Sequence, residues 1–201
     1  MCRKRELFFA GKQMLATAEK KDSTGVCFIG ERNFKEFLKN YIPAKKGDIV
    51  DRVTNKVVGQ HEGVMYYTIG QRKGLGIGGL KDHSSGSWFV VGKDVAKNVL
   101  YVVQGEESEY LLADGCLVTD VSWITGKTPN NGLVCQAKFR YRQPDQQVIL
   151  EIIDDSTVYV KCVSPVKAIT SGQEAVFYCN GECMGGGTID KVYRNNKLLD
   201  C

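Results

Sequence analysis

No stretch of the chain stays apolar for the roughly 20 residues a helix needs to cross a bilayer. The basic start MCRKRELFFAGKQM runs into no apolar segment long enough for a secretory leader. A soluble, cytoplasmic protein with no membrane partner is therefore expected. Histidine is scarce: His61 and His83 are the two in the sequence, and both lie far from Cys179 and Cys183, the one close cysteine pair. A Cys/His zinc site needs two such pairs, so none is expected. There is no G-x-x-x-x-G-K-[ST] segment, which excludes a phosphate-binding P-loop. Nor does any cysteine stand beside a histidine that would activate it.

What is present is ordinary for a folded chain: 201 residues, 43% hydrophobic and 25% charged, enough for one large domain or two small ones. The eight cysteines have irregular spacings in a long chain without an export signal, so they do not read as a disulfide framework. Cys135 and Cys162 lie in alternating apolar stretches and read as core residues. The net charge of +4 is clustered at Arg3-Lys4-Arg5, Lys20-Lys21, Lys45-Lys46, Arg72-Lys73 and Arg140 with Arg142. Such clusters suit a phosphate backbone and equally suit a solvated surface.

Along the chain, the first twenty residues have an irregular helical pattern interrupted by Gly11. Phe34, Phe37, Leu38 and Tyr41 recur on one helical face, with Asn33 and Glu36 as a capping box and Pro43 as the stop. From Asp48 the pattern turns to strands. GDIVDRV and KVVGQH flank Thr54-Asn55 as one hairpin, and SWFVVGKD and NVLYVVQG flank Asp94–Asn98 as another. Between them, GVMYYTIG fits a short helix or a strand. GEESEYLLADG reads as a polar connection. Beyond it, CLVTDVSWI, LVCQAKFRYR, QQVILEII, TVYVKCV and EAVFYCN are short strands at a spacing that favours a β-barrel over a sandwich. The expected class is mainly β (α+β).

Three places carry chemistry. Cys27 sits in KKDSTGVCFIGERNF, where turn formers surround one thiol and Lys20, Lys21 and Arg32 favour its ionised form. It reads either as a reactive thiol or as a small buried hydrophobe. Gly74, Gly76 and Gly79 satisfy G-x-G-x-x-G, but the sequel LKDHSSGSW is loop and then strand rather than helix, so no dinucleotide site is expected. A flexible loop after Arg72 and Lys73 is the better reading, and its bare N–H groups beside two cations suit a phosphate. In FRYRQ, Arg140 and Arg142 are expected on one face of a strand with Tyr141 on the other. That pattern fits phosphate contact and base stacking, and fits as well a surface strand with a core tyrosine. His61 reads as a hairpin-end histidine with a local hydrogen bond.

The segments DSTGVCFIGERNFKEFL, HEGVMYYTIGQRKGLGIGG, AKFRYRQPD and PVKAITSGQEAVFYCNGECMGGGTI occur in that order from about Ala16 to Ile189. Together they resemble the bacterial tRNA-specific 2-thiouridylases. The resemblance implies sulfur transfer to C2 of the wobble uridine of tRNA after its activation by ATP (with Mg). Cys27 would be the persulfide carrier supplied by a sulfur-relay donor protein, and Arg140, Tyr141 and Gln173 would contact tRNA. It also implies a remnant of the catalytic domain over residues 1–30, a central α+β domain over 31–105 and a C-terminal β-barrel over 106–201. The family's ATP-binding segment S-G-G-x-D-S is missing. The chain alone is thus expected to bind no cofactor and to be inactive without an N-terminal ATP-binding domain in cis or trans. A stand-alone RNA-binding module is the alternative.

Overall fold

The computed structural model describes residues 40–43, 45–77, 86–106, 108–141, 143–195 and 197–199. Cys27, the helical pattern over residues 33–39, His83 and Arg142 lie outside them. Residues 44–201 make up one compact unit, and both sheets lie within it.

The first sheet is built from the two expected hairpins. Strands β1 (Gly47–Asp51) and β2 (Val57–His61) pair antiparallel, as do β3 (Trp88–Asp94) and β4 (Val99–Gln104). A parallel pairing of β1 with β4 joins them in the order β2-β1-β4-β3. Asparagine and aspartate make both turns. Asn55 and Asn98 take left-handed φ values of 56° and 57°, which asparagine tolerates better than most residues. Asp51 Oδ2 accepts from Thr54 Oγ1 at 2.6 Å, and Asp94 Oδ1 accepts from the Lys97 N–H at 2.9 Å. Ile49, Val90, Leu100 and Val102 are fully buried beneath the sheet. GVMYYTIG is neither a full helix turn series nor a strand: it is a 3-10 turn, Val64–Tyr66, followed by irregular chain that buries Tyr67 and Ile69.

The second sheet closes on itself. Its strands are β5 (Leu112–Trp123), β6 (Leu133–Lys138), β7 (Gln146–Ile152), β8 (Val158–Lys167), β9 (Glu174–Cys179) and β10 (Glu182–Arg194), with a short β11 (Lys197–Leu198) beside β10. The order β10-β5-β8-β7-β6-β9 returns to β10 through a β9–β10 pairing, so six strands form a closed barrel rather than a sandwich. Inward positions alternate along each strand and fill the interior with Cys116, Val118, Ala137, Val148, Leu150, Val160 and Phe177. Phe139 and Phe177 are each at most 1% exposed, and burying each side chain contributes about 1.5–3 kcal/mol. Cys135 and Cys162 are core residues, as their alternating context suggests, and Cys116 joins them.

One strand was not expected from the sequence, and one expectation needs correction. β10, thirteen residues long, runs through ECMGGGTIDKVYR, which carries no strand signature. A Cβ on Gly186 would meet Ala175 O and one on Gly187 would meet Thr119 O, so glycine lets this strand approach both neighbours closely. The FRYRQ segment is not on a strand. β6 ends at Lys138, and residues 139–141 bend away.

Candidate nucleic-acid interface

Lys138 explains why β6 stops. Its side chain is buried, and its Nζ donates to Gln143 O at 2.9 Å and pairs with Asp145 Oδ1 at 2.9 Å. A buried ammonium requires such partners, and satisfying them brings Gln143 and Asp145 back to Lys138. The Gln143 N–H donates to Arg140 O at 3.1 Å, and Gln143 Nε2 donates to Lys167 O at 3.1 Å. Phe139 is carried inward by this turn, and Tyr141 is carried outward with 57% of its surface exposed. Tyr141 is therefore no core residue, contrary to one of the two readings of FRYRQ.

Arg140 is half-buried and points into a junction between the barrel and the first sheet. Its Nη2 donates to Ile69 O at 2.6 Å and to Thr170 Oγ1 at 2.9 Å. Burial pushes the guanidinium below its ordinary value, yet the group stays cationic because that value is so high. Thr170 is itself buried and donates its hydroxyl to Ala168 O at 3.1 Å. Opposite, Gly70 donates its N–H to Val90 O at 2.7 Å and Val90 donates back to Gln71 O at 3.0 Å, which holds the 69–71 loop against the outer edge of β3. Gly70 has a φ of 78°, and a Cβ there would lie 2.7 Å from Ala168 Cβ, so only glycine fits.

The junction gathers the sequence candidates. Gln173 follows Thr170 in a turn whose Gln173 N–H donates to Thr170 O at 3.3 Å, while Gln173 O accepts from the Ile189 N–H at 2.8 Å. Its side-chain Oε1 is shielded from water and has no hydrogen-bond partner. Arg72 and Lys73 are exposed, three and four residues past Ile69. Their loop is braced by Gln71, which accepts from the Thr68 N–H at 3.1 Å and donates to Lys73 O at 2.9 Å. Arg140, Tyr141, Gln173, Arg72 and Lys73 thus belong to one end of the barrel and the loop tied to it. Thr170 and Ile69 were not singled out from sequence, because their role is to receive one arginine from 30 and 71 residues away.

His61 and the barrel thiols are structural. His61 is buried in the first sheet, with Nε2 3.1 Å from Asn98 O, a carbonyl 37 residues away in the β3–β4 turn rather than the local partner expected at a hairpin end. Burial pushes the Cys135 thiol up to about 11 and the Cys162 thiol up to about 12, with Cys116 higher still. A thiol held in this way is no nucleophile at neutral pH. Among the described residues no group of three or more His, Cys, Asp or Glu side chains is placed to hold a metal ion, and no helix is long and apolar enough to cross a membrane. Residues 71–77 carry Gly74 and Gly76 in irregular chain, and Gly79 lies outside the described residues.

Comparison with known proteins adds to this geometry. Residues 35–104 match the family described as tRNA methyl transferase PRC-barrel domain, and residues 113–189 match the aminomethyltransferase beta-barrel domain. Over 187 residues, 93% of the chain, it is 54% identical to the tRNA-specific 2-thiouridylase MnmA of Bacillus anthracis. It is 53% identical over 186 residues, 92% of the chain, to the protein of the same name from Bacillus mycoides. The chain spans about half the length of these relatives, 49% of each.

Proposed function

The chain belongs to the MnmA-type tRNA-specific 2-thiouridylase family, as its central and C-terminal portion, and from that membership we propose that it is the tRNA-docking part of a tRNA-uridine 2-sulfurtransferase. The observation that carries the proposal is the junction at which Arg140 binds both Ile69 O and Thr170 Oγ1. It ties an exposed basic loop, an exposed tyrosine and the Gln173 turn into one rigid surface. Arginine-rich edges with an exposed aromatic ring are suited to phosphates and unstacked bases. Tyr141 and Gln173 meet the RNA, Arg72 and Lys73 contact its phosphates, and Arg140 holds the surface together from behind.

Cys27 is proposed as the persulfide carrier, loaded by a sulfur-relay donor protein. The outer sulfur of the Cys27 persulfide attacks C2 of the wobble uridine, and the activated oxygen leaves with AMP. A second thiol, from the family's N-terminal domain, then cleaves the S–S bond. This frees the 2-thiouridine and leaves that thiol in a disulfide with Cys27. Activation by ATP belongs to the family's N-terminal domain, in cis or in trans, and no step of it is assigned to this chain. The family setting supports a cytoplasmic site of action. Incubating the purified chain with tRNA, ATP and a sulfur donor is expected to give no 2-thiouridine by nucleoside mass spectrometry. Detecting it would show that the chain activates uridine unaided. In an enzyme that includes the ATP-binding domain, Cys27→Ser is expected to abolish thiolation while tRNA affinity stays within about twofold. Normal turnover of that variant would return Cys27 to the buried, unreactive class.

The alternative, an RNA-binding module without catalysis, shares the docking surface. The two readings separate on Cys27 labelling by the sulfur donor: transfer of labelled sulfur to Cys27 favours the sulfurtransferase, and none favours the module.

A further inference from the structure

We infer that a second, separate RNA contact lies in the cleft between the β3–β4 hairpin and the β10–β11 hairpin, where it takes a phosphodiester strand with a base laid against Tyr110. This rests on the reading that the chain docks tRNA, and adds a site that includes none of Arg140, Tyr141 or Gln173. The cleft has a volume of about 820 Å³. One wall is the end of β3 and its turn, from Val91 to Lys97, and the other is Arg194, Asn195, Lys197, Leu198 and Leu199, with Tyr101 and Tyr110 also lining the cleft.

Its charge is one-sided. Among the described residues, Arg52, Lys93, Lys97, Arg194 and Lys197 line it against a single carboxylate, Asp94. Asp94 pairs with Lys97 at 3.1 Å, and Arg194 is held from behind by Glu109, through the carbonyl at 2.6 Å and Oε2 at 2.5 Å. Lys93 donates to Tyr67 O at 3.3 Å. No carboxylate among the described residues pairs with Arg52 or Lys197. These two cations carry the positive charge of the cleft among the described residues, and a low-dielectric concavity focuses their field.

The shape of the cations favours phosphate and base over an acidic peptide. Arg52 lies over the Tyr101 ring, its guanidinium carbon 4.9 Å from the centroid. A guanidinium in cation–π contact keeps N–H donors available for bidentate contact with phosphate oxygens. Tyr110 is 39% exposed on a 3-10 turn, Glu109–Leu111, that Ser108 caps, so it presents a ring face held in place. Val95 and Leu198, both more than half exposed, add apolar surface at the rim. Aromatic and apolar faces interleaved with cations suit unstacked nucleotides, whereas a polyacidic peptide would gain nothing from them. The same 3-10 turn reaches the Arg140 junction, because Leu111 O accepts the Ala168 N–H at 2.7 Å.

The test is tRNA binding by the full chain, measured by filter retention from about 50 to 200 mM salt. Arg52→Ala with Lys197→Ala is expected to flatten the slope of log K against log salt by about 1–2, one phosphate contact per cation. Lys161→Ala, which removes an exposed charge from the barrel's outer wall, is expected to leave it unchanged. Lys197→Glu alone, at an exposed position, repeats the measurement without disturbing the Arg52–Tyr101 stack. Ultraviolet crosslinking is expected to attach RNA to the peptide holding Tyr110. An unchanged slope in the cleft variants, while Tyr141→Ala still weakens binding, would overturn the cleft site and leave the docking reading intact. No tRNA binding by the unmodified chain would remove both. Protection of Lys197 from acylation by a polyglutamate peptide but not by tRNA would also overturn the RNA assignment, in favour of an acidic protein.

Discussion

A guanidinium withdrawn from water needs oxygen acceptors in place of the hydration it loses, and Ile69 O and Thr170 Oγ1 supply them to Arg140. Arg140→Ala removes both bonds and leaves Ile69 O facing a gap. It is expected to lower the unfolding free energy by about 2 kcal/mol in urea titrations, within the range for hydrogen bonds to charged groups. Tyr141 makes the opposite prediction. Exposed as it is, Tyr141→Ala should leave stability within about 0.5 kcal/mol while tRNA binding weakens by about 1–3 kcal/mol, the worth of one stacked base. An unfolding curve for Arg140→Ala that overlays the parent would show the arginine free of the junction. The barrel thiols give a pH prediction. Cys135 and Cys162 are raised from 9.0 to about 11 and about 12 by burial. The native state therefore holds protons that the unfolded chain releases above about pH 9, and stability falls as pH rises from there toward the folded values. Each thiol adds about 1.4 kcal/mol per pH unit to that decline. Cys135→Ala is expected to make urea midpoints measured between pH 9 and 11 fall less steeply.

Among the elements, the strands easiest to read were those whose alternation matched the pleat. Both hairpins of the first sheet fall within a residue or two of the segments their turn residues delimit, and β7, β8 and β9 follow the apolar alternation of QQVILEII, TVYVKCV and EAVFYCN. β10 was illegible because Gly185, Gly186 and Gly187 present no side-chain pattern, although they permit the pairings that close the barrel. FRYRQ was misread for a different reason: its alternation is real, but the side-chain bonds of Lys138 to Gln143 and Asp145 end the strand first. Tertiary partners of this kind leave no local signature. The same logic limited the site. Arg140 and Tyr141 were candidates from FRYRQ itself and Gln173 only from family resemblance, whereas the burial of Arg140 depends on a carbonyl 71 residues away. Closure at β10 yields a sharp expectation. Gly186→Val puts a branched side chain where Ala175 O already stands, and is expected to cost more than about 3 kcal/mol, at the severe end for single substitutions. Circular dichroism during urea unfolding would measure it. A loss under 1 kcal/mol would mean that the β9–β10 contact yields easily.

At the scale of the whole described unit, the first sheet and the barrel have separate hydrophobic interiors but share one polar seam. Arg140 reaches Ile69, Gly70 faces Ala168, and Ala168 in turn bonds to Leu111 at the start of the barrel. If the seam couples the sheets, they should unfold together. The chain carries a reporter in each, because its two tryptophans are Trp88 on β3 and Trp123 on β5. With Trp123→Phe, fluorescence follows the first sheet, and with Trp88→Phe it follows the barrel, where Trp123 stacks on Phe177 at 5.7 Å. The two urea transitions are expected to coincide in the otherwise unaltered chain. Adding Gly70→Val strains a φ of 78° and drives a side chain into Ala168, so the first sheet should then unfold at lower urea while the barrel transition moves little. RNA affinity should fall with it under conditions where both sheets remain folded, because the loop that carries Arg72 and Lys73 would no longer be tied to Arg140 at the barrel end. Separate transitions before the substitution, or full tRNA affinity after it, would show that the two sheets dock RNA independently.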